Sequence, residues 1–231
     1  MNKKNRIITT IAILLWLIPL HAQIELGVKG GYGYNRYFFA KDVKQDFLPT
    51  YNGGLLFQYL NDKKIGVQSS IDYAQQGWIE KSESGGSANF KMDFVQFNLL
   101  SLIKFSMKKE NGLFIKFGPY FGYSTNSSIS TSGNTDTLAF NYDSLAVNYK
   151  KIDYGIKLGL SYKIKIKSNS FQIEMLFAQG LFNIIDKDPS NFIQSINQNL
   201  TFNLAYTFAF GKKGKKEKIK SKRLDKTDTK Q

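Results

Sequence analysis

Apolar residues recur at every second position along much of this chain. The run 151–166 is the clearest. Ile152, Tyr154, Ile156, Leu158, Leu160, Tyr162, Ile164 and Ile166 alternate with Lys, Asp, Gly and Ser. A two-residue repeat sets successive side chains on opposite faces of a strand. Eight segments read this way: 24–35, 51–60, 64–75, 93–105, 112–124, 151–166, 170–182 and 197–210. In the fifth, Leu113, Ile115, Phe117, Pro119, Phe121 and Tyr123 share one face, and the other carries Lys116, Gly118, Tyr120 and Gly122.

The connections alternate in length. Segments two and three, four and five, and six and seven are joined by "NDK", "SMKKEN" and "KSN", which read as tight polar turns. The other connections are longer and rich in Ser, Asn and Gly, the longest running from Thr125 to Lys150. An even number of strands, with short turns at one end and long loops at the other, predicts an all-β fold. It is an eight-stranded antiparallel up-and-down transmembrane β-barrel.

A soluble barrel also alternates, but with its apolar groups inside. Two features turn the apolar face outward, to lipid. The first is aromatic residues near strand ends on that face: Tyr32, Tyr34, Tyr51, Tyr59, Tyr123, Tyr154, Tyr162, Phe208 and Phe210. With roughly 3.3 Å per residue and a tilt of about 40°, Tyr154 and Tyr162 lie about 20 Å apart in height, as in two aromatic girdles. The second is charge of both signs on the opposite face: Glu25, Lys29, Asp72, Lys104, Lys116, Asp153, Lys157 and Glu174. Such groups would pair across a narrow lumen. Gly118-Pro119 is expected toward the long-loop end, where a missing backbone donor costs least.

Both chain ends differ from this body. Residues 1–22 hold a charged "MNKKNR", a 14-residue apolar run and a closing Ala22. This pattern predicts a secretory signal peptide cut between Ala22 and Gln23. Residues 23–210 form the expected barrel. Residues 211–231 carry ten Lys/Arg against three acids and almost no apolar residue, which predicts a basic disordered tail. Of the net charge of +14, the signal holds +3 and the tail +7, which leaves +4 for the body. With the last strand descending, the tail would emerge in the periplasm, either as a solvated tail without a partner or as an arm that contacts an anionic surface, a periplasmic protein or the cell wall. Nucleic acid is not an expected partner, because no stacking aromatics accompany the lysines.

The chemistry available is limited. There is no cysteine, and the single histidine, His21, lies in the predicted signal. The usual general base and the thiolate or imidazole metal ligands are therefore missing from the mature chain. No catalytic, metal or cofactor site is expected. Asp186 and Asp188 in "DKDPSN" read as a solvated turn, with a calcium loop as the alternative. "QQGWIEKSESGGSANF" reads as a contact loop or as an interfacial Trp78 beside a flexible stretch.

Five segments in order, "DFVQFNLLSLIKF", "FIKFGPYFGYSTN", "KIDYGIKLGLSYKIK", "FQIEMLFAQGLFNI" and "NQNLTFNLAYTF", resemble the PorT-like outer-membrane β-barrel family of Bacteroidetes-type bacteria. The resemblance runs from about Gln23 to Phe210. Gln96 and Asn98 stand where that family commonly shows an acid and a proline. Asn203, Ala205, Phe208 and Phe210 resemble the C-terminal signal read by the barrel-assembly machinery, and the tail beyond Phe210 departs from it. The resemblance implies location in the outer-membrane lipid and an accessory part in protein secretion. The residues themselves leave two readings. A barrel of eight strands is just filled by its side chains, which makes it a structural or interaction protein. Alternatively Gly27, Gly31, Gly33, Gly155 and Gly159 leave room for a narrow channel or small solute, or else accommodate an inward tyrosine or strand curvature.

Overall fold

The computed structural model describes residues 23–39, 43–60, 64–106, 111–133, 149–185 and 195–210. The predicted signal peptide, the basic tail, and Asp186 and Asp188 lie outside the described residues. The described chain forms β1 (Gln23–Phe39), β2 (Gln45–Asp46), β3 (Leu48–Leu60), β4 (Ile65–Lys81), β5 (Ser87–Ser106), β6 (Gly112–Ser132), β7 (Ile152–Ile166), β8 (Asn169–Asn183) and β9 (Ser195–Phe210). Eight long strands pair antiparallel in the cyclic order β1-β3-β4-β5-β6-β7-β8-β9, and β9 pairs with β1 to close the barrel. Closure removes every sheet edge over the paired span. The two-residue β2 adds to the upper part of β4 through Gln45↔Glu80 and Asp46↔Ile79.

Alternation fixes sidedness in each strand. Along β7, Ile152, Tyr154, Leu158, Tyr162 and Ile166 are exposed on the outside, while Asp153, Ser161 and Lys163 are buried within. The outward face forms an apolar band closed by aromatic rows. At the long-loop end Tyr32 pairs with Tyr51, Tyr51 stacks on Tyr73 at 6.1 Å, and Tyr34, Tyr123 and Tyr154 continue the row. At the short-turn end, outward Tyr59, Tyr162, Phe208 and Phe210 are joined by Tyr206, whose ring lies 4.7 Å from that of Phe208. Tyr73 and Tyr206 thus belong to these rows as well.

Three expectations are corrected. First, the third and fourth segments are not joined by a long loop. β4 runs on to Lys81 and β5 begins at Ser87, so only a tight turn over 82–86 separates them. Trp78 therefore stands inside a strand, fully buried, and is neither a loop nor an interfacial residue. Second, β6 does not stop at Ser124 but continues to Ser132, taking in the start of the supposed longest loop. Third, that extension places Pro119 nearer the short-turn end of its strand. Its missing N–H is accommodated within the wall: the β5–β6 pairing lapses between Asn98↔Tyr120 and Ser101↔Phe117, while Pro119 still stands opposite Ile156.

Beyond the long-loop girdle, β4, β5 and β6 project as a wall. A register shift between Asp93 and Phe94 leaves Thr125 without a partner on β5, and above this bulge odd-numbered residues of β6 face inward. Ile129 is thereby aimed at the interior. Two exposed ion pairs, Lys44–Glu83 at 2.9 Å and Lys81–Asp46 at 2.5 Å, run between the β2 region and the β4–β5 hairpin. The Lys44 ammonium holds the Glu83 carboxyl below the usual carboxylate range. Such exposed pairs contribute little stability.

Candidate functional site

The interior falls into two halves with different chemistry. The half near the short turns is charged. Lys163 donates to Glu25 Oε2 at 2.5 Å and to Gln58 Oε1 at 3.0 Å, and Thr207 donates to the same Glu25 oxygen at 2.6 Å. Gln58 reaches Gln68 at 2.7 Å and Gln172 at 3.1 Å. Lys116 donates to Gln68 at 2.7 Å and forms a very short ion pair with Glu174, which also accepts from Gln172. These eight side chains come from seven strands and form one connected network. All of them are buried.

A second cluster lies above it. Lys29 pairs with Asp72 Oδ2 at 2.7 Å. Asn98 donates to that same oxygen at 2.8 Å and to Ser70 at 3.1 Å. Higher still, Lys157 donates to Gln96 at 2.5 Å and lies 5.3 Å from the Tyr120 ring centroid. Asp153 accepts from Tyr120 at 3.0 Å and from Asn197 at 3.1 Å. Gln96 and Asn98 thus act as neutral partners of Lys157 and Asp72. Between these layers is a cavity of about 20 Å³ lined by Lys29, Asp72, Gln96, Lys157, Asn197 and Asn203, among others. That is room for about one water.

Of the eight charged residues singled out in the sequence, the structure brings Lys29 to Asp72 and Lys116 to Glu174. Glu25 meets Lys163, a residue outside that set. Lys163 has the same parity along β7 as Asp153 and Lys157, so periodicity alone pointed to it. Lys157 and Asp153 have neutral partners and do not pair with each other. Lys104 is only half-buried and has no acidic partner among the described residues; its ammonium lies 6.0 Å from the Phe114 ring centroid.

The half near the long loops is apolar. Tyr37, Phe39, Trp78, Phe90, Met92, Phe94, Tyr149, Ile184 and Ile185 form a buried cluster, with Val43 and Ile129 packed against it. Trp78 is its centre, with ring centroids of Tyr37, Phe39 and Phe90 at 5.2, 5.1 and 4.8 Å. The two tyrosine hydroxyls are satisfied: Tyr37 donates to Gln76 at 2.9 Å, and Tyr149 is 2.7 Å from Ser124 Oγ. Gly77 lets the chain enter this cluster. Its φ is 149°, its N–H donates to Asn35 at 2.6 Å, and a Cβ there would come within 1.9 Å of the Phe90 carbonyl oxygen.

Lumen glycines do not hold open space. A Cβ at Gly155 would stand 2.1 Å from the Gln179 carbonyl oxygen and 2.8 Å from the inward Tyr120 ring. A Cβ at Gly31 would meet the Asn203 amide at 2.1 Å. Asn203 and Ala205 point inward from β9 and are buried, whereas Phe208 and Phe210 are exposed on the outer face.

Residues 19–186 match the family model of the outer membrane protein beta-barrel domain. No curated protein matches the chain. Among solved structures, OprG from Pseudomonas aeruginosa is similar at 11% identity over 83% of this chain and 96% of that one, with a TM-score of 0.45. Neisserial surface protein A is similar at 8% identity over 79% and 95%, with a TM-score of 0.44. Ail, the attachment invasion locus protein of Yersinia pestis, is similar at 16% identity over 80% and 98%, with a TM-score of 0.39.

Proposed function

The chain belongs to the outer membrane protein beta-barrel domain family, and from that premise we propose that it is a structural or interaction barrel accessory to protein secretion. One observation carries the reading: the interior is occupied in both halves, by ion pairs and amides in one and by the Trp78 cluster in the other. A barrel filled in this way has its ends and outer surface left for contact. The five segments that resemble the PorT-like family support the link to secretion. No catalytic role is assigned, since residues 23–231 contain neither His nor Cys.

Under this reading residues 1–22 are removed by cleavage after Ala22. β9 runs toward the short-turn end, because Phe210 stands opposite Ile24. Short turns face the periplasm in bacterial barrels. Residues 211–231 then form a basic periplasmic arm that docks on a protein or the cell wall. Phe208 and Phe210, outward on the last strand, present the feature read by the barrel-assembly machinery.

Crosslinked pull-downs from the native outer membrane, comparing the full mature chain with one ending at Phe210, test the proposal. The expected result is a set of secretion-machine partners lost on truncation. The same partners with both chains would move the contact to the surface loops. No partner with either would contradict an interaction role.

A further inference from the structure

The outward face of β1, β9 and β8 carries two adjacent cross-strand rows. Tyr34, Leu200 and Phe177 stand opposite one another and form an apolar row. Arg36, Gln198 and Gln179 form the next row toward the long loops. In it Arg36 Nε donates to Gln198 Oε1 at 2.9 Å, and Gln198 donates to Gln179 at 3.1 Å. The Arg36 row lies just beyond the girdle to which Tyr34 belongs, and exposed Phe38 and Leu181 stand past it on the same face. Phe47 leans over the Arg36 row, its ring centroid 5.1 Å from the Arg36 guanidinium carbon.

Between these side chains is a groove of about 490 Å³ lined by Tyr34, Arg36, Phe47, Phe177, Gln198 and Leu200, together with Asn199. Arg36 is the single charge in the lining, and it has no acidic partner among the described residues. Among the described residues its one hydrogen bond is to a neutral amide, and its terminal guanidinium nitrogens have no acceptor there. A planar fork of this kind matches a phosphate oxygen pair.

We propose that this groove holds an anionic membrane lipid, with the phosphate on Arg36 and an acyl chain against Leu200 between Tyr34 and Phe177. The groove is continuous with the apolar band, so lipid is the medium that already surrounds it. The charge sits at the height where headgroups begin. A soluble peptide would have to displace lipid from the lower row, and an apolar partner would leave Arg36 desolvated and unpaired.

The test uses the full mature chain in neutral detergent, with phosphatidylglycerol or acyl-matched phosphatidylcholine added and retained lipid counted by native mass spectrometry. Phosphatidylglycerol is expected to be retained in preference. Arg36→Gln should weaken that retention about tenfold or more, the loss of a charge-assisted contact. Leu200→Trp, which keeps the charge and fills the groove, should reduce retention of both lipids. Heat-modifiable mobility on gels checks that each variant is folded. Equal retention of the two lipids by the wild type, or unchanged retention in Arg36→Gln, would overturn the proposal. So would a dimer that Leu200→Trp dissociates, since a second copy would then fill the groove.

Discussion

Lys116 and Glu174 show what the interior demands of single residues. Neither is exposed, and each has neutral amides beside its charged partner: Gln68 for the ammonium, Gln172 for the carboxylate. An ion pair taken out of water gains little by itself, but removing one partner strands the other charge. Lys116→Met should therefore destabilise the barrel by about 3–5 kcal/mol. Lys116→Met with Glu174→Met should recover most of that loss. Urea titration of the folded protein in lipid vesicles measures both. Gly159, opposite Lys116, acts through close approach, since a Cβ there would stand 2.1 Å from the Met175 carbonyl oxygen. Gly155 is where the Tyr120 ring and the β8 backbone leave no room for a methyl group.

At the scale of elements, the Trp78 cluster is the feature that separates the two halves. Residues 23–231 contain one tryptophan, because the other, Trp16, lies in the first 22 residues. Its emission should be blue-shifted and shielded from acrylamide in the folded barrel, and both properties should vanish on unfolding. Trp78→Ala should cost about 3–5 kcal/mol in the same urea titration.

The cluster also shows why part of the fold was hidden in the sequence. Within the lipid band the rule is apolar outside and polar inside, and all eight long strands were legible from it. Above the band the rule inverts. Ala88, Phe90 and Met92 face inward while Asn89, Lys91 and Asp93 do not. A short inverted stretch interrupted by Gly77 and framed by Ser and Gly reads as loop, so the upper parts of β4 and β5 went unseen. The bulge at Thr125 hid the upper part of β6 for a related reason: it shifts the parity on which the reading depends. In the lower half, charge parity located Glu25, Lys29, Asp72, Lys116 and Glu174 within the lumen strands. It gave no means of choosing partners, because pairing across a barrel depends on strand register and stagger. Gln58, Gln68 and Gln172 carried no signal beyond being polar on the inner face.

The whole molecule has two unlike ends. One has the tight turn at Lys167-Ser168, where Lys167 takes a φ of 57°, together with both ends of the described chain. The other has the projecting β4–β5–β6 wall. The chain lacks cysteine, so single introduced thiols report on orientation. On intact cells Ser84→Cys, in the β4–β5 turn, should react with an impermeant maleimide. Ser168→Cys should react only after the outer membrane is permeabilised.

A lumen filled by the charged network and the Trp78 cluster should not conduct, and the conductance of the purified, folded chain in planar lipid bilayers measures this. No steady single-channel current is expected across the voltage range that the bilayer tolerates. A stable ohmic conductance from folded protein would contradict a filled lumen, because the charged network and the Trp78 cluster would then not close the barrel.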